Sequence, residues 1–179
     1  MDVFYECMVK RKMTAFDWVK IIAAGVLALA VTAFIVMLFL NGITLGGMFL
    51  LIIAFVWWGF VTLARGMSVE YEYAITNTEL DIDMIRGKSR RKHITTINLK
   101  TIGFFAKKSD PRIKDKISDK IKEYYLVGDR KSNNIYVTEV ISKKNNERIR
   151  VFIEPDEELT RAIENANPKA AKLFGEGAV

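Results

Sequence analysis

The sequence predicts a membrane-spanning helical hairpin followed by a mainly-β barrel that one α-helix closes. Three observations lead to this fold class. Two uncharged apolar runs lie side by side near the N-terminus, seven short segments with a period of two follow, and one amphipathic helical stripe comes last. The chain is therefore expected to have a membrane part and one small water-exposed domain.

Each apolar run has the length of a transmembrane helix. Residues 21–40 read IIAAGVLALAVTAFIVMLFL and residues 43–64 read ITLGGMFLLIIAFVWWGFVTLA, with no Asp, Glu, Lys or Arg. About 20 apolar residues at about 1.5 Å rise cross a hydrocarbon core of about 30 Å. Only Asn41 and Gly42 separate the runs, so we expect the turn at the far membrane interface. The competing interpretation, a buried hairpin in a soluble protein, needs a larger core than 179 residues provide.

The basic residues beside the hairpin predict its orientation. They lie before the first run and directly after the second, and the turn has none: Lys10, Arg11, Lys12, Lys20 and Arg65. Positive residues stay on the cytoplasmic side, so we expect a multi-pass protein of the cell (inner) membrane with both termini in the cytoplasm. A cleaved signal peptide fits less well, because the apolar run continues beyond the small residues and a second run follows. Cys7, the one cysteine, excludes a disulfide framework.

The predicted boundaries are a cytoplasmic or interfacial segment over 1–20, the transmembrane hairpin over 21–64, and a cytoplasmic domain over 65–179. The last part holds 23 of the 27 basic residues and 18 of the 21 acidic ones, as is usual for a soluble domain. Its period-two segments predict seven antiparallel strands: 68–76, 79–86, 90–99, 101–107, 123–128, 135–141 and 148–153.

A helix is predicted to follow the last strand. Pro155 and three acidic residues mark its start, Pro168 lies beyond its end, and its apolar residues follow the helical period: Leu159, Ala162, Ile163 and Ala166. About seven antiparallel strands capped by a C-terminal helix is the layout of a pleckstrin-homology-like (PH-like) barrel.

The stretch YEYAITNTELDIDMIRGKSRRKHITTINLKTIGFF carries a resemblance to known proteins. It is similar to bacterial PH-like domains that lie next to transmembrane helices, with an aromatic strand ending in Thr, a Leu-containing strand, a Gly turn and a basic run. The whole chain resembles a family of small membrane proteins from Gram-positive bacteria that combine a two-helix hairpin with such a domain. The resemblance implies a fold and a location, and no activity.

Catalytic and metal-binding patterns are missing from the sequence. His93 is the only histidine, so a histidine-based triad or a zinc site lacks sequence partners, and no glycine-rich phosphate loop occurs. Four carboxylates share one face of the predicted 68–86 hairpin: Glu70, Glu72, Asp81 and Asp83. We expect cross-strand cations to pair with this face, rather than a metal to bind it. The sequence predicts neither an enzyme nor a cofactor.

The basic run is the one candidate binding feature. Residues 86–122 contain 13 Lys or Arg against 3 Asp and lie shortly after the second apolar run. Anionic lipids attract such clusters, so the predicted headgroup-binding residues are Lys88, Arg90, Arg91 and Lys92. Two alternatives remain open: a solvated loop, and internal pairing of these cations with the acidic face. Residues 110–123 fit either a basic amphipathic helix or a flexible loop. Nucleic acid is disfavoured because no aromatic residues interleave the basic ones.

The sequence therefore predicts a non-enzymatic, membrane-anchored binding or scaffold module that presents a PH-like domain at the cytoplasmic surface. Its expected partners are the lipid membrane, anionic headgroups, a membrane or cytoplasmic protein, or its own copies. The alternative is an accessory subunit of a membrane transporter or membrane enzyme, which would contact its partner through the hairpin.

Overall fold

The structure is a computed structural model in which residues 4–42, 47–113, 121–142 and 147–172 are described. The chain divides into two compact units. The β unit comprises residues 1–12, 69–85 and 89–179, and the helical unit comprises residues 13–68 and 86–88. The chain thus enters the helical unit from one part of the β unit and returns to another.

The helical unit contains two long apolar helices, α1 (Ala15–Leu40) and α2 (Met48–Gly66). Helix α1 begins earlier than the predicted residue 21 because Thr14 and Asp17 form a capping box. The Asp17 N–H donates to the Thr14 hydroxyl at 3.3 Å, and the Thr14 N–H donates to the Asp17 carboxylate at 3.0 Å. A charged first turn therefore precedes the uncharged run.

Helices α1 and α2 run antiparallel beside each other. The rings of Phe39 and Phe49 stack with centroids 4.8 Å apart, and a Cβ at Gly25 would lie 3.4 Å from the Phe60 ring. Gly42 has a φ of +82°, as the predicted Asn41-Gly42 turn requires. Both helices are long and apolar enough to cross a membrane, and their side chains are mostly exposed. Residues 43–46, the predicted start of the second span, lie outside the described residues.

The first sheet of the β unit contains a strand that sequence reading missed. Residues before the hairpin form β1 (Phe4–Lys10), which pairs antiparallel with β2 (Val69–Thr76) so that Lys10 lies opposite Glu70. Strand β1, which lies within the predicted segment 1–20, thus belongs to the same sheet as three strands of the predicted domain 65–179. The predicted hairpin with its turn at Asn77 is confirmed, and the sheet order follows the chain: β1 (Phe4–Lys10), β2 (Val69–Thr76), β3 (Glu79–Arg86) and β4 (Arg90–Asn98).

The second sheet departs from the predicted antiparallel arrangement. Its four strands are β5 (Ala106–Lys107), β6 (Lys122–Leu126), β7 (Tyr136–Ile141) and β8 (Arg148–Ile153). They lie in the order β5-β7-β8-β6, and β6 pairs parallel with β8. The predicted strand 101–107 contains a 3-10 turn at Leu99–Thr101 and leaves only two residues in a strand. The described residues thus form two four-stranded sheets, not one seven-stranded antiparallel barrel.

The main core includes side chains from both sheets and from helix α3 (Glu157–Ala166), which a short helix, α4 (Pro168–Lys172), follows. Leu159 and Ile163 of α3 are buried, which confirms the predicted apolar stripe. A second core covers the other face of the second sheet, where Phe104 and Ile113 pack with Val137 and Phe152. Both faces of this sheet thus carry buried side chains, and in the strand Arg148–Ile153 every residue after Arg148 is buried.

Because β1 completes the first sheet, we predict that residues 66–179 alone form a defective domain. The piece lacks the β1 ladder and the contacts that Tyr5, Cys7 and Val9 make with the main core, and it exposes the edge of β2. A chain that joins Lys12 to Val69 through a short glycine-rich loop should be soluble and unfold cooperatively, since the Arg11 N–H already lies 2.9 Å from the Val69 carbonyl. Urea unfolding of both pieces measures the difference. Equal midpoints would show that β1 adds no stability.

Candidate lipid-headgroup site

The predicted basic residues lie at and beyond the turn that joins β3 to β4. Gly87 and Lys88 both have positive φ values, +59° and +60°, a backbone pattern found in type I′ hairpin turns. All four predicted residues are exposed: Lys88, Arg90, Arg91 and Lys92. The structure nevertheless places them in three different environments.

Arg91 is an internal partner of the acidic face. Its guanidinium donates to the Glu72 carboxylate at 2.7 Å and lies 3.8 Å from the Asp83 carboxylate. The Glu72 side chain is only 6% exposed. Burial raises the pKa of Glu72, and the charge of Arg91 opposes that increase. Arg91 therefore differs from the other three predicted residues, and the internal pairing left open by the sequence holds at this position.

Two further carboxylates of the acidic face, Asp81 and Asp83, also have hydrogen-bonding partners. Thr96 donates its hydroxyl hydrogen to Asp81, the His93 ring lies 2.8 Å from Asp83, and Lys10 lies opposite Glu70 in the β1–β2 register. Among the described residues, no group of His, Cys, Asp or Glu fits a metal ion. These contacts agree with a charge-paired sheet face.

His93 has partners that the sequence did not reveal. Its Nδ1 contacts Asp83, and its Nε2 lies 3.3 Å from the Thr96 hydroxyl, so acid, imidazole and hydroxyl form a row. The hydroxyl hydrogen goes to Asp81, however, and a general base needs that proton within its reach. The row is best understood as part of the hydrogen-bonded sheet surface.

Arg90 and Lys92 alternate with Arg91 along β4 and so belong to the opposite side of the strand. Neither forms an ion pair with a carboxylate within the described parts of the chain. These two residues remain free to meet an external anion.

Lys88 lies in the helical unit with two cations that sequence reading did not select. The Gly87 N–H donates to the Ser68 carbonyl at 2.9 Å, and a Cβ at Gly87 would lie 3.2 Å from the Arg65 carbonyl. The turn thus packs against the end of α2 and brings Arg86 and Lys88 to the same end as Arg65. The alternating signal of a basic hairpin predicts the turn, but this backbone contact has no sequence signature.

Asp156 links the N-terminal strand to helix α3. It caps the helix by accepting from the Leu159 N–H at 2.8 Å, and it accepts the Tyr5 hydroxyl and the Cys7 thiol from β1. Burial alone would raise the pKa of Asp156, but these hydrogen bonds outweigh it and lower the pKa. Burial and the same carboxylate raise the pKa of Cys7 to about 11, so the thiol stays protonated.

Two clefts flank helix α3 within the β unit. One, of about 440 Å³, lies between α3 and the start of β1, and its lining mixes apolar and charged groups: Phe4, Tyr5, Asn77, Glu158, Arg161, Ala162, Asn165 and Ala166. The other, of about 420 Å³, is mainly polar and includes Lys107, Glu157 and Glu164. His93 lines neither of these two clefts.

A family model, described as Bacterial PH-like domain (DUF6106), matches residues 1–173. The chain belongs to this family of bacterial PH-like domains. The match confirms the resemblance drawn from the sequence, and it supports a binding or scaffold module as the general class of function. It begins before β1, in agreement with a PH-like domain that uses residues on both sides of the helical hairpin. No curated protein and no solved structure matches the chain.

The Tyr5–Asp156 contact predicts a pH-dependent contribution to stability. Tyr5→Phe should lower the free energy of unfolding at pH 7, because the carboxylate loses a hydrogen-bond donor. A carboxyl with a lowered pKa stabilises the folded state above the unfolded-state pKa of about 3.9, and this contribution is lost as the pH falls through the folded-state pKa. The effect of the substitution should therefore shrink between about pH 4 and pH 2.

Urea unfolding of the hairpin-free chain across this pH range tests the prediction. Tyr71→Phe is the control, since its hydroxyl has no carboxylate partner among the described residues. An effect of Tyr5→Phe that is the same at every pH would mean that the hydroxyl does not act through Asp156.

Arg91 and Arg90 form a matched pair for a second test. Arg91→Gln should cost about 1 kcal/mol, because it leaves the buried Glu72 carboxylate without its charged partner. Arg90→Gln should change the free energy of unfolding by less than about 0.5 kcal/mol. The loss for Arg91→Gln should also increase from about pH 4 to pH 7, as Glu72 ionises. Equal effects of the two substitutions would contradict the pairing.

Proposed function

We propose that this chain is a non-enzymatic binding and scaffold module that a two-helix hairpin anchors in the cell membrane, with its PH-like domain at the cytoplasmic surface. One observation carries the proposal: the hairpin is inserted between two paired strands of the domain. Strand β1 ends at Lys10 and α1 begins at Ala15, whereas α2 ends at Gly66 and β2 begins at Val69. Both links are short, so the chain passes from each strand into a helix without a long flexible linker.

Helix dimensions support membrane insertion. The 26 residues of α1 and the 19 residues of α2 correspond to about 39 Å and about 28 Å of helix, enough for a hydrocarbon core of about 30 Å. Both helices are strongly apolar, and almost none of their side chains is buried. A lipid environment would cover this apolar surface, which water would otherwise meet.

The charge pattern supports an orientation with both termini in the cytoplasm. Lys20 lies near the start of α1 and Arg65 near the end of α2, and Asn41 and Gly42 between the helices are uncharged. Because the helices are antiparallel, both cations lie at the end opposite the turn. This is the arrangement that positive-inside insertion favours.

Binding is the class of activity that the described residues support best. The clefts beside α3 and the unpaired cations of the β3–β4 hairpin offer surfaces for a ligand, and the His93 row lacks a proton-accepting path from its hydroxyl. We propose anionic headgroups, a protein partner or another copy as the ligand. An accessory role would also use the hairpin, but Thr32 and Thr62 donate within their own helices at 2.8 Å, so their hydroxyl hydrogens are already used.

Cysteine labelling of intact cells tests the location and the orientation. In a Cys7→Ala background, Asn41→Cys should react with a membrane-impermeant maleimide added outside, because the turn lies at the far interface. Asn133→Cys, in an exposed turn of the β unit, should react only after the cells are opened. Labelling of Asn133→Cys from outside, or recovery of the chain in the soluble fraction, would overturn the proposal.

A further inference from the structure

We propose that Arg65, Arg86 and Lys88 form a binding site for the phosphate groups of anionic lipids at the end of helix α2. The inference rests on the proposed membrane anchor, and it names both the ligand class and the site. It replaces the contiguous basic run of the sequence prediction with three cations that the fold brings together.

The turn at Gly87 brings the three cations to one end of α2. Gly87 donates its N–H to the Ser68 carbonyl at 2.9 Å, and the approach to the Arg65 carbonyl leaves a Cβ only 3.2 Å of space. Gly87 is thus held against the end of α2, and its two chain neighbours are both basic. The hairpin places two further charges at the helix end where Arg65 already lies.

The positive charge at this end of α2 lacks carboxylate partners among the described residues. Arg65, Arg86 and Lys88 are exposed, and none of them forms an ion pair with a carboxylate in the described part of the chain. Three cations elsewhere in the chain, in contrast, have carboxylate partners: Arg91 pairs with Glu72, Arg150 with Glu123 and Glu139, and Lys12 with Asp129. The carboxyl end of a helix attracts a cation, but three cations without a carboxylate call for an external anion.

The backbone conformation of Lys88 is unusual for a lysine and indicates a functional position. Its φ of +60° lies in the left-handed region, which glycine adopts without steric cost and lysine does not. Glycine would therefore fit this position better for stability alone. A residue held in a sparsely populated conformation often marks a functional position, and a lysine contributes a charge that glycine lacks.

Lipid is the source of anion that the location favours. If α2 spans the membrane, its last turn reaches the interface, where lipid phosphates lie. Each basic residue near an anionic surface strengthens attraction by about fivefold, and the effect decays within a Debye length of about 8 Å at physiological salt. A free phosphate or a phosphorylated protein would need no such proximity.

The tryptophans of the chain provide a readout for lipid binding. All three, Trp18, Trp57 and Trp58, lie on α1 and α2, so their fluorescence reports on lipid around the hairpin. The full chain is placed in bilayers of phosphatidylcholine with either brominated phosphatidylglycerol or brominated phosphatidylcholine as quencher. We expect stronger quenching by the anionic lipid at low salt, and equal quenching at high salt.

Two double variants separate the proposed site from the general basic run. Arg86→Gln with Lys88→Gln should reduce the preference for phosphatidylglycerol by about fivefold for each charge removed. Arg90→Gln with Lys92→Gln removes the same number of exposed cations from the same hairpin and should leave most of the preference. Equal losses in both variants, or no preference in the unmodified chain, would overturn the site.

The same experiment distinguishes failure of the anchor from failure of the site. If neither brominated lipid quenches, the helices are not in the bilayer, and the proposed function fails with the inference. If both lipids quench equally at low salt, the anchor stands and the phosphate site fails. If the chain bound a phosphorylated protein added to the bilayer but preferred neither lipid, the cations would be assigned to a protein partner.

Lys88→Gly provides an independent test of the role of Lys88. The substitution should raise the melting temperature by about 2–4 °C, because it relieves the left-handed lysine, and should also weaken the preference for phosphatidylglycerol. Thermal unfolding in bilayers, followed by circular dichroism, measures the first effect. A lower melting temperature would show that the Lys88 side chain stabilises the fold and would overturn its assignment to lipid.

Discussion

The pairing of β1 with β2 is the constraint on which the rest of the structure depends. Arg11 donates its N–H to the Val69 carbonyl, and the ladder continues from Lys10–Glu70 to Phe4–Thr76, although the helical unit separates these strands in sequence. Such a distant pairing would ordinarily carry a large loop-closure cost. An antiparallel helical hairpin offsets this cost because it returns the chain to its starting point. The hairpin is thereby part of the PH-like sheet topology.

The sequence predicts those elements whose residues share a local period. Uncharged runs of about 20 residues indicate the two long helices, alternation indicates the 69–86 hairpin, and the Leu159–Ile163 spacing indicates α3. Strand neighbours are a different matter, because a period of two specifies the faces of a strand and not its partners. For that reason the sequence does not predict β1, although FYECMVK alternates in burial, and it predicts antiparallel strands where β6 and β8 pair in parallel.

The candidate site shows the same division between local and non-local information. A period of two alone separates Arg91 from Arg90 and Lys92, so only Arg91 shares a face with the acidic residues of the sheet. The prediction of one binding site from all four basic residues does not take this alternation into account. The contribution of Arg65 and Arg86 could not be predicted in that way. It depends on a backbone hydrogen bond from Gly87 to Ser68, which joins positions far apart in the chain.

Internal charge pairing explains why the net charge of the chain is a poor guide to its binding surface. A row of Glu123, Arg150 and Glu139 crosses the second sheet at 2.6–2.8 Å, with Arg150 and Glu139 buried, and Arg148 adds a further contact to Glu139 at 3.7 Å. Breaking a buried pair costs several kcal/mol, so these basic residues are held by the fold. Only cations that the carboxylates leave unmatched can act on an external anion. Since the turn at Gly87 holds such cations at the end of α2, the same turn also positions charge at one end of the helical hairpin.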